Sequence, residues 1–223
     1  MRAAQISELS GPDAVKVVDV DAPAIGEGQL LIDVHAAGVN FPDLLMTRGE
    51  YQVKPELPFV PGSEVSGIVA DAPAGSGFKV GDRVASFTLL NGIAERVAVP
   101  ADFALRIPDS MTFAQGAALP MNYLTMEFAL IRRGGVQRGE TVLIHGAAGG
   151  IGTAGIQISK ALGATAIAVA STPEKREVAI AAGADHAIDV EGFLGASKEL
   201  RGGRGVDVVV DPVGGDRFTD SLR

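Results

Sequence analysis

The clearest chemical signal lies between Thr141 and Ala164, where a β-branched run, TVLIH, leads into GAAGGIG and then a helix-length segment. Ala147, Gly149 and Gly152 stand at the three positions of a GxGxxG turn, with alanine in the first place. In that pattern the second glycine lets the backbone approach a pyrophosphate, and the third lets the helix lie close on the strand. Ala148, Gly150 and Ile151 complete the turn. The helix beyond it opens with free N–H groups and a positive dipole end, both favourable to phosphate. Ile151, Gly155, Ile158 and Leu162 share one face of that helix, and Gly163 is placed to end it. Gly-rich turns also join elements without any ligand; the strand-turn-helix context favours a bound dinucleotide. Just upstream, Gly134–Thr141 reads GGVQRGET and has P-loop spacing. Glu140 occupies the lysine's place there and would repel the β- and γ-phosphates, which argues against nucleotide hydrolysis.

The end of the next β run discriminates between nicotinamide cofactors. An Asp or Glu at that point accepts from a ribose 2′-hydroxyl, whereas this chain carries Ser171, Thr172, Lys175 and Arg176. A hydroxyl and two cations fit a 2′-phosphate, so NADPH is expected rather than NADH. The competing reading makes Thr172-Pro173 a helix N-cap with proline in the first turn, and Lys175 and Arg176 solvated helix residues.

The elements that would hold these residues follow from the texture of the chain. From Thr141 onward short β runs (141–145, 165–170, 186–189, 206–211) alternate with Ala-rich helical lengths, which builds βαβ units on a parallel sheet. Before Pro108 the pattern differs: runs at 29–39, 65–69, 83–87 and 94–99 are bounded by Gly, Pro or Asp turns and predict a mostly β domain. Thr112–Leu130 reads as helical, and the boundary is expected near Ser110–Pro120.

Composition narrows the function further. The 223 residues are 47% hydrophobic and 21% charged, enough apolar material for a real core. A net charge of -8 without a basic run disfavours nucleic acid as a partner. There is no cysteine, hence no disulfide, thiolate nucleophile or thiolate metal site, and only His35, His145 and His186 supply imidazoles. No leader and no long apolar stretch is apparent, so a soluble, cytoplasmic protein without a membrane partner is expected.

Four segments, AAGVNFPDLLMTRGEY, LPFVPGSEVSG, VGDRVA and HGAAGGIG, together resemble the successive signatures of zinc-free medium-chain reductases of the NADPH:quinone oxidoreductase (zeta-crystallin-like) family. The likeness spans nearly the whole chain. It implies an α/β architecture: a GroES-like, mostly β catalytic domain over 1–115 and a Rossmann doubly wound parallel sheet over 116–223, incomplete at its C-terminal end. Zinc-dependent alcohol dehydrogenases of the same superfamily carry Cys-His and Gly-His-Glu in the first two segments. Asn40-Phe41 and Gly62-Ser63-Glu64 stand here instead, removing a thiolate and an imidazole, so zinc-assisted alcohol oxidation is not expected.

The resemblance further implies hydride transfer from NADPH to a quinone or related enone in a cleft between the domains. Such a reaction needs two aligned planar systems and a hydrogen-bond donor where charge grows on oxygen. Asn40 and Tyr51 match family positions lining that cleft, and Thr125 matches a threonine beside the nicotinamide, although Met126 and Glu127 depart from the usual Ala-Tyr. Other readings stay open: Asn40 holding a turn, Tyr51 as packing, and Asp43 with Arg48 as a structural ion pair. His35 reads as a satisfied strand histidine, and His145 as a residue shaping the cofactor loop. Asp189-Val190 replaces the Asn-Tyr that relatives often place on the 2′-phosphate side. A homodimer is expected. An alkenal or enoyl reductase, and a non-catalytic NADPH-binding crystallin-like protein, are the alternatives.

Overall fold

Antiparallel pairing organises the N-terminal half. A ribbon of β1 (Arg2–Ile6) and β2 (Val15–Asp19) accompanies a five-stranded sheet of β3 (Gln29–Ala37), β4 (Glu64–Asp71), β5 (Arg83–Phe87), β6 (Arg96–Pro100) and β7 (Ala104–Arg106). The sheet order is β6-β3-β4-β5-β7. β3 slips register against β4 between Leu31 and Ile32 and between Val34 and Ala36, irregularities that bend and twist a strand. The backbones approach so closely at Gly67 that a Cβ there would stand 2.0 Å from the Asp33 carbonyl oxygen. Leu30, Ile32, Val65, Val69, Val84, Val97 and Val99 bury together as the core of this sheet, each stabilising it by about 1.5–3 kcal/mol relative to exposure.

The computed structural model describes residues 1–223 and divides them into two compact units, Met1–Met121 and Asn122–Arg223. The first unit also holds α1 (Phe41–Thr47) and α2 (Phe113–Ala117), the latter packed on β3, β4 and β5. That packing places α2 with the β sheet beneath it. The single helix expected over Thr112–Leu130 is broken into α2, α3 (Pro120–Glu127) and a π-helical turn, Phe128–Arg133. Pro120 has no N–H to continue α2, so it starts a new helix instead.

In Asn122–Arg223 four parallel strands form one sheet: β8 (Thr141–His145), β9 (Thr165–Val169), β10 (His186–Ile188) and β11 (Val208–Val210), in the order β10-β9-β8-β11. The helices α4 (Gly150–Ala161), α5 (Pro173–Ala181) and α6 (Phe193–Leu200) are the crossovers, and α7 (Asp216–Ser221) follows β11. Successive residues of a strand face opposite sides. Val142 and Ile144 accordingly join Ile156 and Ala179 of α4 and α5 in one core, while Leu143 joins Ile167, Val169 and Phe193 of α6 in another. Apolar residues on both faces make this the doubly wound sheet expected from the alternation of β and helical runs. No helix is long and apolar enough to cross a membrane.

Candidate functional site

The glycine turn leaves β8 at Gly146, whose φ of +60° lies in the left-handed region. Ala147 is fully buried, and its N–H donates to the Val169 carbonyl at 3.2 Å, tying the turn to β9. Gly149 caps α4 in an extended conformation open to any residue, φ −82° and ψ 174°. A Cβ on Gly152 would lie 2.5 Å from Ala147 Cα, and one on Gly150 would meet the Asn122 amide at 2.8 Å, so α4 sits hard against the turn. A Cβ on Gly149 would meet only the Gly146 carbonyl oxygen, at 3.4 Å. No packing within the chain therefore demands glycine at Gly149. The open side of that residue is a cavity.

This cavity, about 480 Å³, is lined by Gly146, Ala148 and Gly149 of the turn, by Ser171 and Lys175 after β9, and by Arg217 of α7. It lies at the carboxyl ends of β8, β9 and β11, where the chain, after running outward through β9 and β10, returns to the other side of β8. Open α/β sheets bind ligands at this kind of switch point. Of the remaining turn residues, Ile151 packs its side chain against the apolar core.

Thr172 caps α5, its Oγ1 accepting from Lys175 N at 3.3 Å, with Pro173 in the first turn. The cap and the cation site thus coexist: the Lys175 backbone serves the helix, while its ammonium group, facing the cavity, has no partner. Arg176 differs from the sequence expectation. Its Nη1 donates to Asp189 Oδ2 at 2.6 Å and to the Ala170 carbonyl at 3.1 Å, and it does not line the cavity. The substitution of Asp189-Val190 for Asn-Tyr is the physical reason. Asp189 draws the guanidinium aside, and Val190 offers only an apolar wall. Asp189 is correspondingly held below the usual carboxylate range, first by the Glu191 amide and then, against partial burial, by Arg176.

His145 is fully buried at the end of β8, edge-on to Phe193, with Nε2 3.0 Å from Ser221 Oγ. Burial lowers its pKa; nearby Asp211 opposes that and Arg217 reinforces it, so the ring is neutral near pH 7. Thr125 lines a different hollow, beside Ile151, Val210, Asp211 and Pro212.

The sites expected in the first unit form around α1. Asn40 is the N-cap; its backbone N–H donates to Asp43 Oδ2 at 2.8 Å and its Nδ2 to Glu64 Oε1 at 2.8 Å. Asp43, buried, also accepts from Gly62 N at 3.0 Å and makes no ion pair with Arg48. Its role is structural, through backbone amides. Glu64, 2% exposed, accepts from Met121 N at 2.7 Å through its other oxygen. Burial pushes the Glu64 carboxyl above its ordinary range despite the two hydrogen bonds, and Asp43 adds to the shift. Tyr51 packs beside Ile6, Met46 and Phe59, and its hydroxyl makes no hydrogen bond. His35 stacks on Phe113 with ring centroids 4.3 Å apart. Sequence reasoning passed over two residues, Glu64 and Arg217. An acid heading the otherwise apolar run EVSGIVA signals the first. Nothing in the sequence around Arg217 marks the second.

Residues 26–109 match the alcohol dehydrogenase GroES-like domain and residues 150–223 the zinc-binding dehydrogenase domain. The rat quinone oxidoreductase is 36% identical over 228 residues, covering the whole of this chain and 69% of the relative. The chain belongs to the quinone oxidoreductase family of medium-chain reductases. A quinone oxidoreductase-like protein 2 from rat is 41% identical, and the chain spans 64% of that protein's length. Among solved structures, a probable oxidoreductase from Mycobacterium abscessus aligns with a TM-score of 0.94 at 50% identity, covering all of this chain and 71% of that one. The mycobacterial protein Rv1454c complexed with NADPH aligns at 0.89 and 38%, covering all of this chain and 70% of that one. Asn40 is bonded to Glu64, and Ser63, beside Glu64 in sequence, is buried. No group of three or more His, Asp or Glu side chains converges on one point.

Proposed function

We propose that the protein is an NADPH-dependent oxidoreductase that passes a hydride to a quinone or a related conjugated carbonyl compound. The observation that carries this reading is the unpartnered Lys175 ammonium group beside Ser171, in the same cavity as the glycine turn. Two features of the chain fit the cofactor. Gly149 leaves its Cβ position open to the cavity, and the α5 side offers a hydroxyl and a cation with no acid lining the cavity. When bound, NADPH supplies the hydride. The chain's own residues hold and orient it: the α4 amides and Gly149 accommodate the pyrophosphate, and Lys175 with Ser171 takes the 2′-phosphate.

The acceptor gains negative charge on oxygen as it is reduced, so donors preset around that oxygen lower the barrier. The Tyr51 hydroxyl, without a protein partner, is one such donor. Asn40 is the other: one Nδ2 hydrogen is engaged by Glu64, leaving the second, while the buried carboxylates of Asp43 and Glu64 fix the residue's backbone and amide. Thr125 belongs to this reading as a neighbour of the nicotinamide. A homodimer in the cytoplasm, acting on a small molecule, is part of the same proposal.

The alternative of an enoyl reductase is favoured by one likeness, the CurK enoyl reductase at 28% identity and a TM-score of 0.90. Steady-state oxidation of NADPH by the full-length protein against quinones, enones and enoyl thioesters separates the readings. Turnover fastest with quinones is expected. Turnover confined to enoyl thioesters selects the alternative, and NADPH binding without oxidation of any of them makes the protein a binder only.

A further inference from the structure

The cofactor cavity carries a second cation, Arg217, that neither the glycine turn nor the α5 terminus accounts for. Arg217 is half-buried, and its guanidinium makes no ion pair or hydrogen bond within the chain, although acids are close by in sequence at Asp211, Asp216 and Asp220. Asp220 pairs with Arg223, Asp211 Oδ1 accepts from the amides of Val213 and Gly214, and Asp216 makes no ion pair with Arg217. A half-buried cation without a counter-ion is costly. Like Lys175, it is poised for an anion that comes from outside the chain.

Its place in the sheet says which anion. Lys175 follows β9 and Arg217 follows β11, so the two stand on opposite sides of β8 and of the turn that leaves it. The loop that leads from β11 to α7, the helix of Arg217, touches the start of that turn: a Cβ on Gly146 would lie 3.2 Å from Val213 and 4.0 Å from Pro212. The Arg217 charge is also felt at His145, immediately before Gly146. A dinucleotide has only two kinds of anionic group, the pyrophosphate and, in NADPH, the 2′-phosphate. Lys175 and Ser171 flank the latter's place.

We infer that Arg217 is a second anion anchor of the cavity, binding the cofactor's pyrophosphate from the β11 side of the glycine turn. The inference rests on the dinucleotide reading above and adds to it a residue and a division of labour. Lys175 discriminates NADPH from NADH, whereas Arg217 serves both. The planar fork of arginine suits two phosphate oxygens at once, which a lysine cannot match as well.

Equilibrium titrations with NADPH, NADH and adenosine 2′-monophosphate, none of which requires turnover, test the division. Arg217→Gln is expected to weaken NADPH and NADH by the same factor, about tenfold or more for the loss of a charge-assisted pair, while leaving adenosine 2′-monophosphate unchanged. Lys175→Gln is expected to weaken NADPH and adenosine 2′-monophosphate but not NADH. Arg217→Lys, which keeps the charge, should recover part of the loss and guards against a folding defect in the glutamine variant. Unchanged binding of both dinucleotides by Arg217→Gln overturns the inference, as does a loss confined to NADPH. If the unaltered protein binds neither dinucleotide, the functional reading itself falls; if it binds them and Arg217→Gln does too, only the inference does.

Discussion

Arg176 Nη1 lies 2.6 Å from Asp189 Oδ2, while Lys175, its immediate neighbour, lines the cavity beside the glycine turn without a partner. Two adjacent cations on α5 thus have different surroundings. Lys175→Ala is expected to weaken NADPH about ten- to a hundredfold and leave NADH nearly unchanged, the effect of one charge-assisted hydrogen bond. The difference should shrink as salt rises, because the lysine is exposed. Arg176→Ala should leave the affinity ratio within about threefold of the parent and cost at most about 1 kcal/mol of stability, as a partly exposed ion pair. Fluorescence titration with both nucleotides, and urea unfolding, check the pair.

Gly149 and Gly152 separate binding from folding. A methyl on Gly152 would press on the Ala147 backbone at 2.5 Å, so Gly152→Ala should destabilise the protein by about 1–3 kcal/mol or more. The same change at Gly149 meets only one carbonyl at 3.4 Å, in a conformation alanine adopts freely. Gly149→Ala is expected to unfold within about 1 kcal/mol of the parent yet bind NADPH at least tenfold more weakly. Thermal unfolding beside nucleotide titration distinguishes them.

Asn40→Ala and Tyr51→Phe should lower kcat with quinone more than they weaken NADPH. Loss of one positioned donor to a growing oxyanion costs roughly 3 kcal/mol, about a hundredfold in rate. Asn40 also caps α1 and bonds Glu64, so its variant should lose stability as well, which Tyr51→Phe should not. Parent-like turnover in both variants would remove these residues from the site.

The second sheet was more legible than the first for a physical reason. Runs buried on both faces, such as Thr141–His145 and Thr165–Val169, are continuous in apolar residues and bounded by glycine or proline. β1 and β2, RAAQI and VKVVD, are short and half-exposed, with charges at Arg2, Lys16 and Asp19, and carry too little periodicity to stand out. The turn from Gly146 to Gly152 was readable because glycine spacing reflects backbone constraint. The ion pair of Arg176 is not legible locally, because its partner, Asp189, is thirteen residues away across a strand. Glu64 accepts from the distant Met121 amide, and Arg217 lines the same cavity as Gly146 seventy-one residues away, neighbours that local sequence does not encode.

Buried His145 sets a pH dependence on stability. Its pKa is depressed in the folded protein, chiefly by burial, so the unfolded chain binds the proton more readily. The stability this neutral ring provides is complete above the unfolded value near 6.5 and is lost progressively as pH falls below it. Urea midpoints are expected to decline as pH falls below about 6.5. His145→Phe, which keeps a ring against Phe193, should flatten that decline; an unchanged slope would assign it to other groups.

The most direct test of the account is calorimetric titration of the full-length protein with NADPH and with NADH under identical conditions. One site per chain is expected for each, with NADPH tighter by at least about tenfold, the worth of the Lys175 contact. Equal affinities, or no binding of NADPH, would contradict it.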